Sequence, residues 1–300
     1  MTRAFWAALV LLAFSTFTVA RANVITDWDE TAVSTVQPSA LGSQANVAMA
    51  MVHIAMFDAV NSINPHYKSY KVQLTAPPGT SEDAAAAAAA AKVLIALVPA
   101  ATSKVQATLT SYLATMPDGD AKTNGVKLGE DVAAKVIELR VKDGTQALEA
   151  YRPRTTPGVY VTTQPTLASS MPGVTPFAMT SASEFRPPPP IALTSAQWAK
   201  DYNEIAAVGE KDSTTRTPRQ TEDARLWLTT GPMASHPLER QIAQLKKMSV
   251  VDSARFMALL SITEADALIA VFDAKYHYEF WRPVTAIRNG DRDGLSLIHI

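Results

Sequence analysis

Eight consecutive alanines, Ala84–Ala91, constrain this chain more than any other stretch. Alanine is the best helix former because it loses no side-chain freedom on folding. Ser81-Glu82-Asp83 stand before the run as a cap with acids in the first turn. Leu94, Leu97 and Val98 carry the apolar pattern on to Pro99. Read alone, the run is low complexity. With its cap and continuation it predicts a helix whose backbone lies close to its neighbours.

The rest of the chain agrees with a helical bundle. A helical pattern runs from about Ala40 to Ile63, after Pro38 and before Asn64-Pro65. Met49, Val52, Met56, Ala59, Val60 and Ile63 give it an apolar stripe at three and four spacing. A third helix is expected near Ser103–Met116 and a fourth near Ala121–Lys142, stopped by Pro117-Asp118-Gly119 and Asp143-Gly144. Such short loops make neighbouring helices antiparallel. Capping-box patterns at Thr194–Gln197 and Thr217–Gln220 start two more. A long helix is expected from near Asp252 to Trp281. Between them, Tyr151–Ile191 holds nine prolines, four of them at Pro187–Pro190. Its Tyr, Phe, Met and Val content reads as a segment draped over the bundle (151–193) rather than a linker. The fold class is all-α, one helical domain over residues 23–294.

Length and 47% hydrophobic content allow a full core. The net charge of −1, with no basic stripe, argues against a nucleic-acid partner. Residues 1–22 read as a signal peptide. Arg3 is the positive start, Ala4–Ala20 is mainly apolar, and Ala20-Arg21-Ala22 is a small-x-small cleavage site. The rival, an uncleaved anchor, needs a longer apolar run. Export to the periplasm or beyond is expected, with no stable membrane insertion after cleavage. No cysteine is present, so there is neither a disulfide nor a thiolate metal site.

The chemistry-bearing stretch is Asp273–Arg288. Lys275 and Arg282 are seven residues apart and Pro283 follows at once. At about 100° per residue, seven positions return to nearly one azimuth. Proline disfavours helix at the residue before it, so the helix should end near Arg282. Two cations on one face suit an oxyanion, Arg as a planar fork and Lys as a mobile charge. A solvated face is equally readable here, because Glu279 can pair with either cation. Glu264 lies near the Lys275 face and is expected to meet a basic group. Asp266 and Asp273 share the opposite face as anchors to neighbouring helices. His277 should point away from the anion. His53 reads as a hydrogen-bonded packing residue rather than a ligand, and His66 as a solvated loop residue. Gly231-Pro232 breaks the chain before Ser235-His236-Pro237, so His236 is expected in a loop, either capping and solvated or facing a substrate.

Lys275, six residues, then Arg282-Pro283 resembles the first of three motifs of the vanadium-dependent haloperoxidase and type 2 phosphatidic acid phosphatase superfamily. The flanks Asp273–Tyr278 and Phe280–Ile287 are similar to its bacterial secreted haloperoxidase-like branch. So are Thr215–Glu222, Ser253–Leu260 and Ala48–Asn61. The resemblance implies a helical bundle of the haloperoxidase/acid phosphatase type. It implies a vanadate cofactor held by Lys275 and Arg282, with hydrogen peroxide and halide as substrates. Arg282 would neutralise oxygens of the cofactor, and Lys275 would draw electron density from peroxide. Because phosphate shares vanadate's charge and shape, the same residues also suit an acid phosphatase acting on a phosphate ester through a phosphohistidine. A non-catalytic exported helical protein is the third reading.

The family pattern continues with Ser-Gly-His and then Arg-x5-His, and neither occurs in these 300 residues. The bundle is therefore expected to be truncated at its C-terminus, with the vanadium-bonding histidine beyond it and no turnover from this fragment. Leu295-Ser-Leu-Ile-His-Ile300 can be encoded by a transposon end used in sequencing libraries. Residues 295–300 are expected to be adapter-derived, and His299 is not counted as a ligand.

Overall fold

A computed structural model describes residues 23–39, 41–162 and 168–289. The leader (1–22) and the tail (295–300) lie outside the described residues, as does part of the proline-rich excursion. The architecture is all-α, and among the described residues a lone antiparallel bridge, Val159 to Phe280, is the only extended pairing outside helices.

The alanine run folds as α3, Glu82–Leu97, with Ser81 Oγ accepting from the Ala84 amide. Every alanine of the run is buried. The partner is α5, Asp120–Arg140, whose Gly125 and Gly129 face Ser81, Ala85 and Ala89. A Cβ on Gly129 would stand 2.1 Å from the Ala85 carbonyl oxygen, so the two backbones touch without side chains between them. The short α4, Thr102–Leu113, joins them.

At the centre is α2, Ala45–Ile63, entered through a 3₁₀ turn at Gly42–Gln44. All of α2 is buried except Asn46 and Ile63, so the expected stripe extends around the whole helix. α2 is packed by α3, α5 and the long α9, Val250–Tyr278. With the 3₁₀ turn before it, this helix is long and apolar enough to cross a membrane. Yet 89% of that window is buried inside the bundle, as in the central helix of a water-facing core. Asp58 at its far end accepts from the amides of Tyr70, Lys71 and Val72 at 2.7, 3.0 and 2.8 Å, holding the following loop against the helix.

Two elements depart from the sequence reading. Residues 24–36 form α1 (Val24–Val36), capped by the Asn23 side chain, where no helix was expected. Its Trp28 and Ile25 are fully buried. Residues after Gly231-Pro232 do not form a loop: they are α8, Pro232–Leu245, with Pro237 inside its first turns. Between the excursion and α8 lie α6, Ala196–Gly209, and α7, Pro218–Leu226. Thr217 and Gln220 make the expected capping box on α7, whereas α6 is capped by Ser195, one residue later than the pattern at Thr194 suggested.

The described part of the excursion is packed, not free. Met171, Val174 and Phe177 are buried against the bundle. Asp266 on α9 accepts from the amides of Phe177, Ala178 and Met179 at 2.7, 2.7 and 2.9 Å. Asp273 takes a two-pronged bond from Arg186 at 2.7 and 2.8 Å. Both aspartates are anchors, as expected, but they hold this strap rather than a neighbouring helix. Extended chain beside a helix leaves amides unpaired, and buried carboxylates satisfy them.

Candidate functional site

The end of α9 differs from the sequence expectation. The helix stops at Tyr278, and Glu279 turns into the left-handed region with φ 47°. The chain leaves early because it pairs with the strap: Tyr160 N donates to Glu279 O at 2.6 Å, and Trp281 N donates to Gly158 O at 2.9 Å. Arg282 then becomes the cap residue of α10, Pro283–Arg288, with Pro283 as its first helical position. Lys275 and Arg282 therefore do not share a helical face. They approach one another through the turn between two helices.

Lys275 is exposed, with its ammonium 4.6 Å from the centre of the Phe272 ring. Burial of its stem, then the charge of Arg282, lowers its pKa below the ordinary lysine value. Arg282 lies 5.4 Å from the centre of the Tyr160 ring and 3.5 Å from its hydroxyl. Tyr151, Tyr160 and Tyr276 pack edge to face beside it, and burial pushes Tyr276 up to about 12. Glu279, the acid within helical reach of both cations in the sequence, is taken by Arg154. Among the described residues neither Lys275 nor Arg282 has a carboxylate partner. Two like charges held near each other without a counter-ion repel, and an anion between them relieves that repulsion. The residues present thus fit an oxyanion such as vanadate or phosphate. His277 is directed toward Arg186, 3.5 Å away, and not toward this pair.

A second cluster escaped sequence reasoning. Asp29 of α1, His53 of α2 and His236 of α8 are all fully buried and meet in the core. Asp29 Oδ1 lies 2.8 Å from His53 Nε2 and 2.5 Å from His236 Nδ1, and Arg240 Nη1 donates to Oδ2 at 2.6 Å. The two rings stack at 5.6 Å. Glu264, expected to find a basic group, lies 3.5 Å from His236 Nε2. His236 is therefore neither solvated nor capping a loop. His53 is a hydrogen-bonded packing residue in this proton-filled state, as its place on an apolar helix suggested. The missed signals were Trp28-Asp29 inside a helical period and His236-x2-Glu239-Arg240, which sets three polar groups on one face of α8.

Burial alone would lower His236, but its bonds to Asp29 and Glu264 outweigh that and raise it to about 10. His53, for which burial dominates, is pushed down and stays neutral. Burial would raise Asp29, yet the two histidines hold it well below the carboxylate range. A group whose pKa is raised on folding gives stability that is complete below its unfolded value and is lost as pH climbs through the folded value. Stability should therefore fall steadily from about pH 6.5 to about 10 as His236 loses its contribution. Urea midpoints across that range should show the fall in wild type and a flatter profile in His236→Gln. An unchanged profile in the variant would remove His236 as the cause.

The fold and the cation pair define the class: an α-helical bundle protein with two cationic side chains, Lys275 and Arg282, brought near each other at the end of its longest helix. Residues 255–294, which carry Lys275 and Arg282, match the family described as the VCPO second helical-bundle domain. A vanadium chloroperoxidase of Curvularia inaequalis is 28% identical over 136 residues, covering 38% of this chain. The chain spans only 22% of that enzyme's length. The crystal structure of a bacterial vanadium-dependent iodoperoxidase superposes with a TM-score of 0.70 at 19% identity, covering 89% of this chain and 73% of the other. That likeness establishes the helical haloperoxidase fold. Taken together, these matches make the chain similar to vanadium haloperoxidases, in fold over most of its length and in sequence over residues 255–294.

Proposed function

We propose that the protein is an exported, vanadate-dependent haloperoxidase-like enzyme that oxidises halide with hydrogen peroxide. The observation that carries this reading is the pair Lys275 and Arg282, neither with a carboxylate partner among the described residues, inside the segment that matches the family. Vanadate, when bound, supplies a Lewis-acid centre that activates peroxide without itself changing oxidation state. Arg282 donates to the cofactor's oxygens through its planar fork. Lys275, whose proton is held less tightly than usual, donates to developing negative charge on oxygen. The tyrosines beside them narrow the approach and limit competing water.

The test is peroxide-dependent bromide and iodide oxidation by the complete gene product, stripped with chelator and resupplied with vanadate. Arg282→Ala and Lys275→Ala should each lower the vanadate-restored rate by about 10²-fold or more, with unchanged circular dichroism. Phosphate release from a chromogenic ester, inhibited by vanadate, would replace this reading with a phosphatase. Neither activity, in folded full-length protein, would leave a non-catalytic helical protein.

A further inference from the structure

The structure assigns a second, buried site to this chain: we propose that Asp29, His53, His236 and Glu239 bind a divalent transition metal of the zinc type, well inside the bundle. It stands apart from the cation pair and does not depend on the function proposed for that pair.

Three independent elements supply the ligand atoms. Asp29 Oδ1 comes from α1, His53 Nε2 from α2, and His236 Nδ1 with Glu239 Oε2 from α8. The first three atoms lie within 4.8 Å of one another in fully buried residues. The fourth is the second, separate observation. Glu239 is 6% exposed, and its buried Oε2 has no N–H or hydroxyl donor; the group it meets is the carboxyl of Glu264, with which it shares a proton. That oxygen lies 3.6 Å from His236 Nδ1. Two ligands about 2.0–2.1 Å from a tetrahedral centre stand about 3.3–3.4 Å apart. The Glu239–His236 spacing is thus close to a ligand–ligand edge and too long for a hydrogen bond. Two buried carboxyls this close cannot both ionise alone: they either share a proton or hold a cation beside them.

The outer contacts fit at His236 and Asp29, whereas His53 Nδ1 has no partner. A ligating histidine usually gives its other ring N–H to a carboxylate. His236 Nε2 faces Glu264 at 3.5 Å, and it is otherwise unpartnered. Arg240 holds the outer oxygen of Asp29 and leaves Oδ1 to the centre. Imidazole and carboxylate oxygens together suit zinc and cobalt rather than calcium or magnesium.

In the metal-free protein, protons occupy this place. His53 and His236 close on Asp29 as hydrogen bonds at 2.8 and 2.5 Å. Metal entry widens those two contacts by several tenths of an ångström to about 3.3 Å. His236 releases its Nδ1 proton, His53 moves its proton from Nε2 to Nδ1, and Glu239 releases whatever proton it holds. Binding therefore strengthens with rising pH and liberates protons.

The experiment uses untagged protein, chelator-treated and then refolded from urea with Zn²⁺ or Co²⁺ because the site is enclosed. The expected result is one equivalent of zinc by elemental analysis and the visible absorption of four-coordinate Co²⁺. Protons should also be released into weak buffer. His53→Gln and Glu239→Gln should each weaken binding tenfold or more. Folded wild type that retains no zinc overturns the proposal, as does binding that Glu239→Gln leaves unchanged. If His53→Gln fails to fold, Glu239→Gln decides alone, because glutamine keeps the shape of Glu239 and its amide can donate to Glu264 in place of the shared proton.

Discussion

Asp29→Ala should lower the unfolding free energy of the metal-free protein by about 3–5 kcal/mol, the cost of breaking a buried ion pair from one side. Asp29 is fully buried and is the single acceptor shared by His53, His236 and Arg240. Its removal leaves a protonated His236 and a largely buried Arg240 with their charges uncompensated on that side. Glu264 and Glu239, 3.5 and 3.6 Å from His236, stand too far off to replace it. Burial of a charge without a partner dominates here over the modest transfer gain of the alanine methyl. Urea unfolding followed by circular dichroism measures the loss. A control sharpens the cause: Asp29→Ala combined with Arg240→Leu and His236→Phe removes the orphaned charges and should recover part of the stability. A single variant within about 1 kcal/mol of wild type would mean that water or a shift of Glu264 compensates, contrary to this account.

Gly129→Ala should cost about 2–3 kcal/mol, at the upper end of overpacking effects. The new Cβ would meet the Ala85 carbonyl oxygen at 2.1 Å, its carbon at 2.9 Å and the Ala89 amide nitrogen at 3.0 Å. All three belong to the backbone of α3, so no side chain can rotate away. The helices must separate, and the alanines between them then lose contact along their length. Against this stands a gain of about 1 kcal/mol in helix propensity, which is too small to offset it. Gly209→Ala, at the end of α6, provides the contrast. Its Cβ would meet only Ile205 Cγ2 at 3.9 Å, so the propensity gain should appear there without a clash. Thermal midpoints of the two variants should move in opposite directions; a loss of equal size in both would discredit the close-contact argument.

Much of the fold was legible. Caps, proline and glycine punctuation and apolar spacing are local, and they located α2 to α5 within a few residues. The alanine run foretold close backbone contact, although its glycine partners on α5 became visible only once the helices were docked. The site was half legible. Residues 275 and 282 were identifiable by type and spacing, but the helical face assigned to them was wrong. A seven-residue interval implies one azimuth only if the helix continues, and here it stops at Tyr278. Helix α8 was missed because Gly231-Pro232 was read as a break, when proline at the first helical position is a start.

What the sequence by itself determined is therefore the helical class, most of the helices and the cationic residue types at 275 and 282. Those follow from interactions within three or four positions along the chain. Only the tertiary structure decided where α9 ends and what His236 does. The strap around Tyr160 pairs with Glu279 and Trp281 and draws Arg282 out of the helix. Asp29, 207 positions before His236, takes that histidine out of solvent and keeps its proton. No local pattern reports such partners, because burial and charge pairing depend on which distant elements are brought together.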